Sequence, residues 1–231
     1  MYNIGMNQFR TILFDFDGTI MDTSEGIFNS FDYALESFGI ELPGHEAYKK
    51  MVGPPLMYSF QTFYGFDEEK AKLAMKRYRE YYTPKGVYQA SVYPGVADML
   101  RELKNRGYAI CLATSKPERY ARELLERDSL DGFFTLIAGS DINETRVKKS
   151  EIVRFVLDSL EIKEPGTCVM VGDRLYDAEG AAMNGVPCVG VLWGFGSKEE
   201  LVEAKCIATA ADTDELLGLF PDISSQQVQP L

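Results

Sequence analysis

The sequence predicts an α/β fold: a doubly wound parallel sheet carrying an inserted α-helical cap domain. Three observations point to it. Short apolar runs of strand length recur from Thr11 onward, and after residue 93 amphipathic stretches of helix length separate them. That alternation calls for parallel strands joined by right-handed crossovers. Between residues 20 and 85 the alternation stops, and helical periodicity continues with no convincing strand from Leu42 to Tyr82. Polar and acidic residues also gather just after four of the strands, where open parallel sheets bind ligands.

Residues 1–9 are a polar lead-in to a strand at Thr11–Phe14. From Thr23 a helix is expected, with Ile27, Phe28, Phe31, Ala34, Leu35 and Phe38 on one face and Gly39 to end it. Paired prolines in Met51-Val52-Gly53-Pro54-Pro55-Leu56 break the helical run, because proline ends one helix or begins the next. Gly53–Leu56 either presents backbone to a substrate or simply joins two helices. Residues 67–82 resume a charged helix carrying Ala71, Leu73, Ala74, Met75, Tyr78 and Tyr81. Tyr93-Pro94-Gly95 returns the chain to the core, and a helix from Val96 is closed by Gly107. Strands follow at Tyr108–Ala113, Phe133–Ala138, Cys168–Val171 and Pro187–Leu192, with helices at 118–127, 150–160 and 176–184 between them. A weaker pair, Cys206–Ala210 then Asp212–Leu219, completes the pattern, and the polar tail from Pro221 is expected to be disordered. The resulting division is a discontinuous core, 1–19 with 86–231, and a helical cap, 20–85.

The chain has 231 residues, 35 acids against 24 Lys and Arg, and a formal charge of −11. Such a balance disfavours a nucleic acid polymer as partner, and an anionic substrate needs a local cation to overcome the overall field. The cysteines, Cys111, Cys168, Cys188 and Cys206, have no CxxC spacing and read as buried small hydrophobes. Neither a signal peptide nor a bilayer-spanning apolar run is visible, so a cytoplasmic protein, monomer or homodimer, is expected.

The acidic strand ends carry the chemistry. Asp15 and Asp17, at the end of the first strand, repel one another unless a cation lies near, and a hard divalent ion such as Mg²⁺ suits their oxygens. Asp15-Phe16-Asp17-Gly18-Thr19 resembles the first motif of the haloacid dehalogenase superfamily in its phosphatase form. The resemblance implies Asp15 as nucleophile through an aspartyl phosphate, Asp17 as general acid and base, and the Asp17 backbone carbonyl as a metal ligand. Thr114 and Ser115 match the second motif and are expected to bind the phosphoryl group, although Ser and Thr in that place also serve as helix caps. Lys148 and Lys149 compete for the third motif's charge-stabilising lysine; Lys149 is preferred because it directly precedes a helix start. Gly172-Asp173-Arg174-Leu175-Tyr176-Asp177 matches the fourth, which implies Asp173 as a Mg²⁺ ligand and Asp177 as a second ligand or an orienting group.

The overall pattern is most similar to the phosphoglycolate phosphatase-like branch, which also holds 5′-nucleotidases and pyrophosphatases. Hydrolysis of a small phosphorylated metabolite is therefore expected, with the cap closing over it. Asp17 argues against the dehalogenases, and Lys49 and Lys50 lack the context that phosphonate hydrolases require. A phosphomutase of β-phosphoglucomutase type and a catalytically silent binding protein are the alternatives. Sole His45 and Arg119 read as surface residues, and Gly194–Lys198 as a loop beside the site.

Overall fold

Thr11-Ile-Leu-Phe14 is apolar on both faces of the chain, as a strand must be when helices cover both sides of its sheet. In the computed structural model, which describes residues 5–141 and 146–227, it is β1 at the middle of a six-stranded sheet. The chain continues through β2 (Met21–Asp22), α1 (Ser24–Glu36), α2 (Leu56–Tyr64), α3 (Glu68–Tyr82) and β3 (Ser91–Val92). Then come α4 (Val96–Asn105), β4 (Ala109–Pro117), α5 (Glu118–Arg127), β5 (Leu136–Ser140) and α6 (Lys149–Ser159). Last are β6 (Cys168–Gly172), α7 (Leu175–Ala182), β7 (Cys188–Val191), α8 (Lys198–Glu203), β8 (Ala208–Ala210) and α9 (Thr213–Leu219).

The large sheet has the order β5-β4-β1-β6-β7-β8, and its strands are parallel throughout. It is the doubly wound α/β core expected. β2 and β3 pair in a separate two-stranded sheet. Leu13, Cys111, Cys168 and Met170 are buried on one face beneath Ile152, Val153, Val156 and Leu157 of α6 and Ala178 and Ala181 of α7. The i, i+1, i+4, i+5 spacing along α6 is what lets one helical stripe cover that face.

The described residues divide into two compact units, one running to Ile20 and again from Val92, the other Met21–Ser91. The second unit runs past residue 85 because Gln89 is tied to α1. Its carbonyl accepts the Gly26 N–H at 3.3 Å, and its side chain meets Glu25 and Asn29. Phe31 is fully buried at the centre of this unit, with ring centroids of Tyr48, Phe60 and Tyr78 at 5.4, 5.6 and 5.0 Å. Gly53–Leu56 joins a 3₁₀ turn, His45–Met51, to α2, whose N-cap is Pro55.

Three details depart from the sequence reading. β4 runs on to Pro117, four residues past Ala113, with a shift of register against β5 between Ala113 and Pro117. α8 starts at the last residue of the Gly194–Lys198 loop and fills a stretch given no element from the sequence, its N-terminus capped by the Ser197 hydroxyl, which accepts the Glu200 N–H. Pro221–Ile223 is docked rather than disordered. The Ile223 side chain is buried, its N–H bonds the Arg106 carbonyl, and Tyr108 donates to the Pro221 carbonyl. One apolar residue in a polar tail is enough to anchor it when backbone partners are waiting.

Candidate active site

Register brings the site together. Phe14 of β1 is level with Leu112 of β4 and Val171 of β6, so β1 and β6 finish side by side while β4 runs on past them. Asp15 continues the ladder by one bond, N–H to Val171 carbonyl at 2.9 Å, before the chain turns away. β4 and β5 lie to one side of β1 and β6 to β8 to the other, so the loops leaving these ends diverge and open a crevice. Gly18 has φ +82°, and a Cβ there would fall 2.2 Å from Asp173 Oδ2. Only glycine lets the turn after β1 lie against that carboxylate.

Asp15, Asp173 and Asp177 each offer an oxygen within 4.8 Å of the others. Asp177 sits in the first turn of α7, four residues beyond Asp173, where a carboxylate suits the helix N-terminus. Lys149, the first residue of α6 and 7% exposed, places its ammonium 2.7 Å from Asp15 Oδ1 and 2.8 Å from Asp177 Oδ1. It also donates to the Ala113 carbonyl at 2.9 Å, which ties it to the middle of β4. A Cβ on Gly180 of α7 would lie 2.6 Å from the Lys149 stem, so this glycine lets α7 approach the lysine. Asp173 accepts from the Thr19 hydroxyl at 3.2 Å and from the Phe195 N–H at 2.8 Å.

Two buried carboxylates and the partly buried Asp15 face one buried ammonium, which leaves two negative charges when all are ionised. Burial and the neighbouring Asp177 push the Asp15 carboxyl up to about 7, and the opposing pull of Lys149 does not cancel them. Asp173 is likewise held well above the usual carboxylate range, by burial first and then by Asp177 and Asp15. Burial works against charge on Lys149, but Asp15 and Asp177 outweigh it and raise its affinity for the proton.

Such a set fits a divalent cation. All its donors are hard oxygens, and Asp15 Oδ1 and Asp177 Oδ1 are buried and accept no aligned hydrogen bond beside their contact with Lys149. A cation with two positive charges matches the excess.

Thr114 is buried one residue beyond Ala113, and its Oγ1 accepts the Lys116 N–H at 3.1 Å. Neither Thr114 nor half-buried Ser115 caps a helix, because β4 extends through them and α5 starts at Glu118 with Pro117 before it. Lys148 is exposed and outside the carboxylate cluster that Lys149 enters. Asp17 stands apart from the three carboxylates, paired with Lys116 at 2.8 Å.

Lys116 is the residue that sequence reasoning missed. Its side chain is almost fully buried against Asp17 and lies 5.4 Å from the Phe16 ring centroid. The signal was a lysine two residues after Thr114, but read in a loop it resembles any solvated lysine. Arg174 and Glu200 were also passed over. They pair at 2.8 Å, and Glu200 accepts the Leu175 N–H, which fixes the loop between Asp173 and α7. His45, half exposed, contacts Asp32 at 2.9 Å, and exposed Arg119 pairs with Glu123.

A model of the haloacid dehalogenase-like hydrolases matches residues 12–191. A 5′-nucleotidase of Pseudomonas aeruginosa is 42% identical over 194 residues, 84% of this chain and 87% of that protein. The tyrosine-protein kinase PtkA of Mycobacterium tuberculosis is 33% identical over 209 residues, 90% and 71% of the two chains. Phosphoglycolate phosphatase 1 of P. aeruginosa is 29% identical, with 92% and 79% covered. Among solved structures, a phosphatase of Clostridium acetobutylicum named from its sequence superposes with a TM-score of 0.86 at 40% identity, covering 91% and 97%.

Proposed function

This chain belongs to the haloacid dehalogenase-like hydrolase family, and we propose that it is a Mg²⁺-dependent phosphatase acting on a small phosphomonoester through an aspartyl phosphate on Asp15. The observation that carries this reading is the Asp15, Asp173, Asp177 and Lys149 cluster, with its excess of negative charge, at the ends of β1, β6 and the start of α6.

Lys149 holds Asp15 Oδ1 and thereby the orientation of the carboxylate. Asp15 attacks phosphorus, and the leaving alkoxide takes a proton from Asp17. Asp17 then removes a proton from water, which attacks the aspartyl phosphate and frees Asp15. Lys116 fixes Asp17 between these steps. Lys149 and the buried N–H and O–H groups at the end of β4, with Thr114 and Ser115, face the charge on the transferring phosphoryl oxygens. Asp15, Asp173, the Asp17 carbonyl and, directly or through water, Asp177 would hold Mg²⁺, which would supply further positive charge to those oxygens.

The 42% identity to a 5′-nucleotidase favours a nucleoside 5′-monophosphate over phosphoglycolate, whose named phosphatase is 29% identical. Phosphate release should be measured from nucleoside monophosphates, phosphoglycolate, sugar phosphates and pyrophosphate, with Mg²⁺ and with EDTA. ATP with a tyrosine peptide should be added as a phosphoryl-transfer arm, given the kinase-named relative. Turnover should require Mg²⁺ and fall on the order of 10⁴-fold or more in Asp15→Asn, as removal of a covalent nucleophile does. Equal turnover by Asp15→Asn would overturn the mechanism, and phosphorylated peptide without phosphate release would overturn the hydrolytic reading.

A further inference from the structure

Two of the four cysteines meet on the far side of the sheet from β5. Cys188 opens β7, and Cys206 lies two residues before β8, the adjacent parallel strand. The Ile207 N–H bonds the Cys188 carbonyl at 2.8 Å, which sets the cysteines one residue out of step across the pair. Adjacent strands lie about 4.8 Å apart and a residue advances about 3.3 Å, so their Cα atoms are about 6 Å apart, within the span a disulfide bridges. Cys206 packs against the apolar cluster that contains Cys188, and the Cys188 thiol donates to the Val189 carbonyl at 3.6 Å. Cys188 is 4% exposed, whereas Cys206 is only partly buried.

We propose that Cys188 and Cys206 are a thiol-modification site, an internal dithiol that closes to a disulfide when a low-molecular-weight disulfide reaches Cys206. In the first step the Cys206 thiolate attacks one sulfur of the small disulfide, forming a mixed S–S bond and expelling one small thiolate. Cys188 then gives up its proton and attacks the Cys206 sulfur, and the second small thiol departs. Two protein sulfurs are oxidised, and one small disulfide is reduced to two thiols.

The division of roles follows from the surroundings. The neighbouring Cys188 thiol lowers the Cys206 pKa, which favours the thiolate on the accessible sulfur. The same contact, then burial, holds Cys188 well above the usual thiol range, as befits a resolving thiol that reacts only with a neighbour. Cys111 and Cys168 contrast with this pair. Both are fully buried, and burial pushes the Cys111 thiol up to about 12.

The folded full-length protein, incubated with glutathione disulfide, is analysed as the intact chain and as unreduced tryptic peptides; cleavage at Lys198 and Lys205 separates the two cysteines. The expected product has lost two hydrogens, keeps no glutathione, and yields one cross-link from Cys188 to Cys206 that dithiothreitol reverses. Cys188→Ser should stop at glutathionylated Cys206, and Cys206→Ser should stay unmodified, with thermal melts confirming that both are folded. Glutathione retained on wild-type Cys206 without a cross-link, no reaction of the folded chain, or a cross-link through Cys111 or Cys168 would each overturn the proposal. Should a variant fail to fold, the wild-type peptide map decides alone.

Discussion

The two units treat buried charge in opposite ways. In the unit spanning 21–91, an aromatic cluster around Phe31 fills the interior; the Thr23 hydroxyl is buried without a partner among the described residues, but the carboxylate at the cluster's margin is matched. Asp32 takes the Tyr48 hydroxyl at 2.6 Å on one oxygen and His45 at 2.9 Å on the other. In the other unit, buried Asp173 and Asp177 and partly buried Asp15 have one lysine among them and two negative charges to spare. Burying charge without full compensation is costly, and a chain evolved only to be stable would replace such a cluster with apolar side chains. The matched cluster is explained by stability; the unmatched one needs a ligand.

Substitutions can sharpen this contrast. Phe31→Ala should destabilise the protein by about 3–5 kcal/mol, the range for a large core aromatic, with a lower urea midpoint as the measurement. Lys149→Met should cost a comparable amount, about 3–5 kcal/mol, because it strips the one cation from the three carboxylates. The two losses should differ in kind. That of Lys149→Met should shrink as pH falls and the carboxylates take up protons, or when Mg²⁺ is added, while that of Phe31→Ala stays constant. Equal pH dependence would break the comparison.

With metal chelated, the Asp15 carboxyl rises from 3.8 to about 7 on folding, so the folded state binds more protons between those values. Stability from this group is therefore present at low pH and lost as pH rises through that window. Wild type should lose stability relative to Asp15→Asn between pH 4 and 7 in EDTA, and thermal melts of both proteins would show it. A difference that does not change with pH would mean that Asp15 is already compensated. Tyr48→Phe should have the smallest effect, about 1 kcal/mol in urea unfolding, since it removes one hydrogen bond and keeps the ring. Its loss should not respond to Mg²⁺.

The strongest local signals were strand ends. A continuous apolar run that stops at acids, as at Phe14-Asp15 and Val171-Gly172-Asp173, has no good use in a sheet interior, so both the α/β class and the acidic residues could be read directly. Lys149 was readable only as one of two adjacent lysines. The helix start favoured it, but the 2.7 and 2.8 Å contacts that set it apart depend on α6 packing beside β4. Lys116 gave no usable signal. It lies 99 residues from Asp17, and its burial depends on β4 continuing to Pro117 where the local pattern suggested a helix cap. The Phe195 N–H on Asp173 and the meeting of Cys188 with Cys206 have the same origin, since neither pair is near in the chain.

By itself the sequence determined the alternation of strands and helices, the helical insert, and which residue types stand at each strand end, because hydrophobic periodicity and turn chemistry act over a few neighbours. Tertiary structure alone decided the strand order, which lysine enters the carboxylate cluster, the partner of Asp17 and the docking of Ile223. Those outcomes depend on register and on groups brought together from distant parts of the chain, and buried charge is balanced in space, not along the sequence.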